Sequence, residues 1–175
     1  IFGVGLIGGS FARALRSAGA AGTIVGVGRS PEAMARALEL GIVDQVALSV
    51  LDAMRGADLV LVAAPVAQTG AILASILPHL EPQTVVTDAG STKSDVVQAA
   101  REVLGDRIGQ FVPGHPIAGR ESNGPDSAIP DLYVGKKVVL TPLAENPAAD
   151  VERVAAAWRA CGAIIHKLSP AEHDK

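Results

Sequence analysis

The feature that most constrains the fold of this 175-residue chain is a glycine-rich turn between an apolar strand and an amphipathic helix. Ile1–Val4 has the composition of a strand, and Leu6–Ala18 has helical spacing with Gly19 in the stop position. The turn supplies the candidate cofactor-binding residues Gly3, Gly5, Leu6, Ile7 and Gly8. Glycines at this spacing permit a tight turn, close approach of a pyrophosphate and close packing of helix on strand. The pattern predicts a dinucleotide site at a helix N-terminus.

Short apolar runs alternate with longer stretches of helical period along the rest of the chain, which is typical of βαβ units. Strands are predicted at Thr23–Val27, Asp58–Ala63, Thr84–Thr87, Phe111–Val112, Lys137–Thr141 and Ala163–Leu168. Helices are predicted from Ser30-Pro31, over Val66–Leu77, over Thr92–Leu104 with a cap at Ser91 or Thr92, and from Asn146-Pro147. Ala118–Asp131 is expected to be a long functional loop. The predicted fold class is α/β, with a Rossmann-like, doubly wound and mostly parallel sheet.

Composition and charge exclude several classes of protein. The chain is 49% hydrophobic and 19% charged, which predicts one folded domain, and its net charge of −3 argues against a nucleic-acid partner. The longest apolar stretch, Leu59–Ala67, is shorter than the roughly 20 residues of a membrane-spanning helix. Cys161 is the only cysteine and is expected to be a small buried residue near a helix end, which favours a cytoplasmic location. Because Ile1 lies inside a predicted strand and a helix begins after Pro170, we expect residues to be missing on both sides.

The end of the second predicted strand bears on the choice of cofactor. A carboxylate at this place usually holds the ribose 2′-hydroxyl of NAD. This chain has Val27-Gly28-Arg29-Ser30 there, and Arg29 and Ser30 can donate hydrogen bonds to a 2′-phosphate. The sequence therefore favours NADP over NAD, with a solvated surface arginine as the simpler reading of Arg29. Pro65, just after the Asp58–Ala63 strand, is a further candidate for the cofactor site.

Two polar segments follow the carboxyl ends of later strands, where open α/β sheets bind ligands. One is Asp88–Lys93, which contains Ser91, and the other is Gly114–Glu121, which contains His115. A neutral histidine can accept a hydroxyl proton near neutral pH, because its ordinary pKa lies near working pH. The pair of segments therefore suits the oxidation of an alcohol.

Five segments together resemble the prephenate/arogenate dehydrogenase family in order and spacing, and they span the whole chain. They are GVGLIGGS at 3–10, DAGSTK at 88–93, HPIAGRE at 115–121, LTP at 140–142 and EHD at 172–174. The resemblance implies oxidative decarboxylation of prephenate (or arogenate) to 4-hydroxyphenylpyruvate (or tyrosine), with hydride transfer to NAD(P). It also implies a dinucleotide-binding domain over 1–168 and, from 169–175 onward, the start of an all-helical domain that forms a homodimer.

The resemblance also implies roles for single residues. His115 matches the family's catalytic histidine, Ser91 a serine that orients this histidine and the substrate hydroxyl, and Glu121 a glutamate near the site entrance. Lys93 and Asp174 match without an assigned role, and the arginine that binds the substrate carboxylate is expected in the helical domain. The simpler readings are a helix cap for Ser91, a structural histidine for His115 and a solvated carboxylate for Glu121. The other histidines are predicted to be surface or strand residues with no metal site: His79, His166 and His173.

Two alternative functions stay open at this point. One is another Rossmann oxidoreductase, of the β-hydroxyacid dehydrogenase or imine reductase type, which would lack the HPIAGRE segment. The other is a module that senses NAD(P) without chemistry, which would have no need of His115 or Ser91. The choice between prephenate and arogenate stays open as well, because these substrates differ only in a keto or amino group.

Overall fold

The fold is built on a parallel sheet that starts at Phe2, and the computed structural model describes residues 1–175. Phe2 forms parallel bridges to Val27 on one side and Val62 on the other. Five short strands complete this sheet: β1 (Val25–Gly26), β2 (Gln45–Val46), β3 (Leu59–Val62), β4 (Val85–Asp88) and β5 (Phe111–Val112). All of their pairings are parallel, and the order is β2-β1-Phe2-β3-β4-β5. This order confirms the predicted doubly wound arrangement, in which successive strands are added on one side of the first strand and then on its other side.

The last three strands form a separate ladder. They are β6 (Gly114–Pro116), β7 (Lys137–Leu140) and β8 (Ile164–Lys167). β6 pairs with β7 antiparallel, and β7 pairs with β8 parallel. Only Pro113 separates β5 from β6, and a proline interrupts a ladder because it has no N–H to donate. The sheets are therefore mostly parallel, as predicted, with β6 as the exception.

Seven α-helices accompany the strands, and the last of them follows β8. They are α1 (Leu6–Ser17), α2 (Pro31–Glu39), α3 (Val50–Met54), α4 (Thr69–Ile76), α5 (Ser94–Leu104), α6 (Ala148–Ala160) and α7 (Pro170–His173). The predicted start of α2 is confirmed, since the Ser30 hydroxyl accepts a hydrogen bond from the Ala33 amide at 3.1 Å and Pro31 is the first helical residue. The predicted end of α1 is also confirmed, because Gly19 has a φ of +65°. The sequence pattern did not predict β2 or α3.

Helices cover both faces of the sheet, which is why β3 and β4 read as continuous apolar runs. One apolar cluster joins α1, α6 and the sheet around Trp158, whose ring lies 4.7 Å from Phe11 and 4.9 Å from Tyr133. The opposite cluster packs α3, α4 and α5 around Phe111. Cys161 is buried and unpaired at the end of α6, as predicted, and burial raises the pKa of its thiol to about 12. No helix combines the length and apolar character needed to cross a bilayer.

Candidate active site

The glycine turn has the shape that a pyrophosphate needs. A Cβ on Gly8 would lie 2.1 Å from the carbonyl oxygen of Gly3, and Gly3 itself has a φ of +94°. Both positions therefore require glycine for the fold. Gly5 is different, because a Cβ there would meet no protein atom closer than the Gly124 nitrogen at 3.9 Å. No side chain caps the N-terminus of α1, so its first amides remain available to an anion. Gly3, Gly5, Leu6, Ile7 and Gly8 thus fit the phosphates of a dinucleotide.

The open face of Gly5 allows a direct test of this phosphate site. We expect Gly5→Ala to leave the melting temperature nearly unchanged, because no protein atom obstructs the added methyl group. The methyl group would keep a pyrophosphate away from the backbone and raise the Kd for NAD(P) by about tenfold, as the loss of one charge-assisted hydrogen bond would. Isothermal titration calorimetry measures the Kd. Gly22→Ala is the matched control, since Gly22 has open space around it and lies away from the turn.

The other predicted cofactor residues lie where their strands end. Arg29 is exposed and has no ion-pair partner. The Ser30 hydroxyl is engaged, because it caps α2 and also donates to the Glu32 carboxylate at 3.2 Å. Pro65 is exposed immediately before the 3₁₀ turn Val66–Gln68 that follows β3. Of these three residues, only Arg29 has a charged donor group free for a ligand.

His115 is half-buried on β6, and only one of its two ring nitrogens has a hydrogen-bonding partner in the protein. Its Nδ1 lies 2.9 Å from Nε2 of His173, and the two rings are nearly perpendicular with centroids 5.1 Å apart. Burial, followed by the nearby His173 and Lys93, lowers the pKa of His115 to about 4, although Asp174 opposes the shift. The imidazole is therefore neutral at physiological pH, with Nε2 as the ring nitrogen that has no protein partner.

A buried ion pair fixes the backbone on which His115 sits. The Lys93 ammonium contacts the Asp88 carboxylate and donates to the Gly114 carbonyl oxygen at 2.7 Å, while Asp88 also accepts from the Gly114 amide at 3.0 Å. The side chains of Lys93 and Asp88 are 0% and 1% exposed. Burial raises the pKa of Asp88 and lowers the pKa of Lys93, and the ion pair opposes both shifts. The end of β4 is thereby locked to the start of β6.

Asp174 caps α5 from a distant part of the sequence. Its carboxylate accepts the amides of Lys93 at 2.9 Å and Ser94 at 2.8 Å, and it lies 2.7 Å from Nδ1 of His173. The hydrogen bond with His173, followed by those from the Ser94 and Lys93 amides, holds the pKa of Asp174 well below its usual range. The prediction that Ser91 or Thr92 caps this helix is therefore wrong. The hydroxyl of Thr92 instead donates to Asp95.

Two other predicted site residues, Ser91 and Glu121, are exposed, whereas His173 is not. Ser91 is exposed in the turn between β4 and α5, and its side chain makes no hydrogen bond within the chain. Glu121 is exposed in the segment between β6 and β7. His173 was predicted to be a surface or strand histidine, but it lies on α7 with its side chain 8% exposed and contacts His115. The sequence feature that indicates His173 is the EHD segment at 172–174, because its histidine contacts His115 and its aspartate accepts the amides at the start of α5.

Comparison with known proteins identifies the family of this chain. The family model of the prephenate dehydrogenase nucleotide-binding domain matches residues 11–167. This chain belongs to the prephenate dehydrogenase family. The match covers most of the chain, and residues 11–167 correspond to the nucleotide-binding domain of that family, with the glycine turn just before them.

Individual relatives from this family match nearly the whole chain. The cyclohexadienyl dehydrogenase of Zymomonas mobilis is 37% identical over 99% of this chain and 59% of its own length. The prephenate dehydrogenase of Aquifex aeolicus, solved with hydroxyphenyl propionate and NAD⁺, has a TM-score of 0.91 at 36% identity, covering 98% of this chain and 59% of its own. The arogenate dehydrogenase of Synechocystis has a TM-score of 0.89 at 30% identity, with 98% and 59% covered. The chain thus spans about three fifths of each relative.

Proposed function

We propose that the full-length protein is a dehydrogenase that oxidises and decarboxylates prephenate or arogenate with a nicotinamide dinucleotide as hydride acceptor. Membership of the prephenate dehydrogenase family supports this function. The observation that carries it is His115, a neutral imidazole at the sheet edge whose Nδ1 is held and whose Nε2 is free. A regulatory module that only binds nucleotide has no need of such a residue.

The chemistry proposed for this chain is general base catalysis. A nicotinamide dinucleotide held at the Gly3–Gly8 turn would supply the acceptor for the hydride that leaves the ring carbon. His115 Nε2 accepts the hydroxyl proton of the same carbon, and departure of the ring carboxylate as carbon dioxide leaves an aromatic ring. A base with a pKa of about 4 is unprotonated throughout the physiological range, so it needs no prior loss of a proton. Ser91 is proposed to orient the substrate hydroxyl, and Glu121 to lie at the entrance of the site.

The domain organisation is proposed on related grounds. Residues 1–168 form the dinucleotide-binding domain, and 169–175 begin a helical domain that contributes the substrate-carboxylate arginine and a homodimer interface. The family match ends at residue 167, next to the proposed boundary.

We propose a cytoplasmic location, in keeping with the single unpaired Cys161. Steady-state kinetics with both substrates and both cofactors tests the function, and no turnover of either substrate would refute it.

A preference for NADP over NAD is part of the proposal and has its own test. The exposed guanidinium of Arg29 suits a 2′-phosphate, and no carboxylate stands at the end of β1 to bind a 2′-hydroxyl. We expect Arg29→Ala to lower kcat/KM for NADP by about tenfold and to leave kcat/KM for NAD nearly unchanged. Arg159→Ala removes an equal charge from α6 as a control. Equal losses with the two cofactors would show that Arg29 does not contact the 2′-phosphate.

A further inference from the structure

A hydrogen-bonded chain of side chains lies behind His115, and the proposed function does not use it. Nδ1 of His115 lies 2.9 Å from Nε2 of His173, and Nδ1 of His173 lies 2.7 Å from the Asp174 carboxylate. The His173 side chain is 8% exposed, so water has little access to its bond with His115, whereas the Asp174 side chain at the far end is 28% exposed. Sequence separation is large at the first link, because His115 and His173 are 58 residues apart.

The hydrogen positions in the series His115, His173 and Asp174 follow from the ionised carboxylate of Asp174. An ionised carboxylate only accepts hydrogen bonds, and Asp174 is kept ionised by His173 and by the amides of Lys93 and Ser94. Nδ1 of His173 must therefore carry the hydrogen, which leaves Nε2 of a neutral His173 with a lone pair. That lone pair can accept only if Nδ1 of His115 carries a hydrogen. The basic lone pair of neutral His115 is then on Nε2, the nitrogen with no protein partner.

The two histidines lie near charges of opposite sign. Lys93, whose ammonium is bound to Asp88 and the Gly114 carbonyl, disfavours a cation on His115. Asp174, at the other end, favours a cation on His173, because carboxylate and imidazole are in direct contact. A positive charge that moves from His115 to His173 therefore comes into direct contact with the Asp174 carboxylate.

We propose, on the basis of the function proposed above, that His173 is a positioning residue that fixes the tautomer of His115 and takes a proton from it during turnover. The substrate O–H bond breaks and its proton joins Nε2 of His115. The proton on Nδ1 of His115 then passes to Nε2 of His173. His115 is left neutral with a hydrogen on Nε2, and the positive charge resides on His173 beside Asp174. One proton has entered the pair, and no oxidant or reductant is needed for this transfer.

Substitution of His173 in the full-length protein tests this proposal. We expect His173→Leu to lower kcat by about tenfold, a part of the full contribution of a general base, with little change in KM. The acid limb of the kcat/KM profile should also shift, because the substitution removes one of the groups that lower the pKa of His115 and breaks the link from His115 to Asp174. His173→Gln should recover only part of kcat, since its amide can accept from His115 and donate to Asp174 but cannot take up the proton. His166→Leu, an exposed histidine on β8, is the matched control and should behave as the unsubstituted protein.

A second readout does not depend on turnover. ¹⁵N NMR of the histidine rings distinguishes a protonated from an unprotonated Nδ1. His115 should carry its hydrogen on Nδ1 in the unsubstituted protein and in His173→Gln, and should show a mixture of tautomers in His173→Leu. Hydrogen on Nε2 of His115 in the unsubstituted protein at neutral pH would overturn the proposal.

The kinetic outcomes separate this proposal from the function on which it rests. Equal losses of kcat in His173→Leu and His173→Gln, together with equal losses of melting temperature, would indicate a packing role and overturn it. Wild-type kcat and pH profile in His173→Leu, with turnover lost in His115→Asn, would overturn the positioning role alone. Retained turnover in His115→Asn would overturn the proposed function and this proposal with it.

Discussion

Replacing His115 with Asn in the full-length protein is expected to lower kcat by about 100-fold or more, as the loss of a general base does. Asn is close in size to His and is polar, so β6 and its pairing with β7 should persist. It has no nitrogen that accepts a proton near neutral pH. The Kd for NAD(P) should stay nearly unchanged, because the proposed phosphate site lies on the Gly3–Gly8 turn. Stopped-flow reduction of the cofactor and calorimetry measure the two quantities.

His166→Asn is the control for this substitution, because His166 is exposed on β8 and its side chain makes no hydrogen bond or ion pair within the chain. We expect its kcat to equal that of the unsubstituted protein. A His115→Asn variant with full turnover would remove this imidazole from the chemistry. A variant that lost NAD(P) affinity and turnover together would instead place His115 in cofactor binding.

Replacing Lys93 with Met is expected to lower the free energy of unfolding by about 3–5 kcal/mol, the range for breaking a buried ion pair from one side. The substitution leaves the Asp88 carboxylate at 1% exposure without its cation. It also removes the donor to the Gly114 carbonyl oxygen, so the backbone that carries His115 loses one of its anchors. We therefore expect kcat to fall as well. Urea denaturation followed by circular dichroism measures the stability.

The double variant Asp88→Asn/Lys93→Met tests whether the buried charge causes the loss. Asn removes the uncompensated charge and retains an oxygen that can accept from the Gly114 amide, so the double variant should be more stable than Lys93→Met alone. Lys136→Met, at an exposed position just before β7, controls for the loss of a lysine. A Lys93→Met variant as stable as the Lys136→Met control would contradict a structural role for the ion pair.

Much of the fold could be predicted from short segments of the sequence. The glycine turn, the Ser30-Pro31 start of α2 and the stop at Gly19 depend on backbone conformation and on atoms a few residues away, so their residue types indicate them directly. The apolar runs at β3 and β4 indicate strands buried on both faces. β2 and α3 lacked such signals, because the two residues of β2 and the five of α3 are too few to establish a period.

The sequence by itself determined the βαβ order, the glycine turn before α1 and the residue types that stand at the sheet edge. Only the tertiary structure decided which of them meet. The cap of α5 comes from Asp174, which lies 80 residues beyond Ser94, and the partner of His115 is His173 on α7. Nearby hydroxyls at Ser91 and Thr92 gave the wrong cap, because residues close in sequence cannot reveal a carboxylate that the fold brings in from elsewhere. Hydrogen bonds between distant segments depend on how helices and strands pack, and that packing is a property of the whole chain.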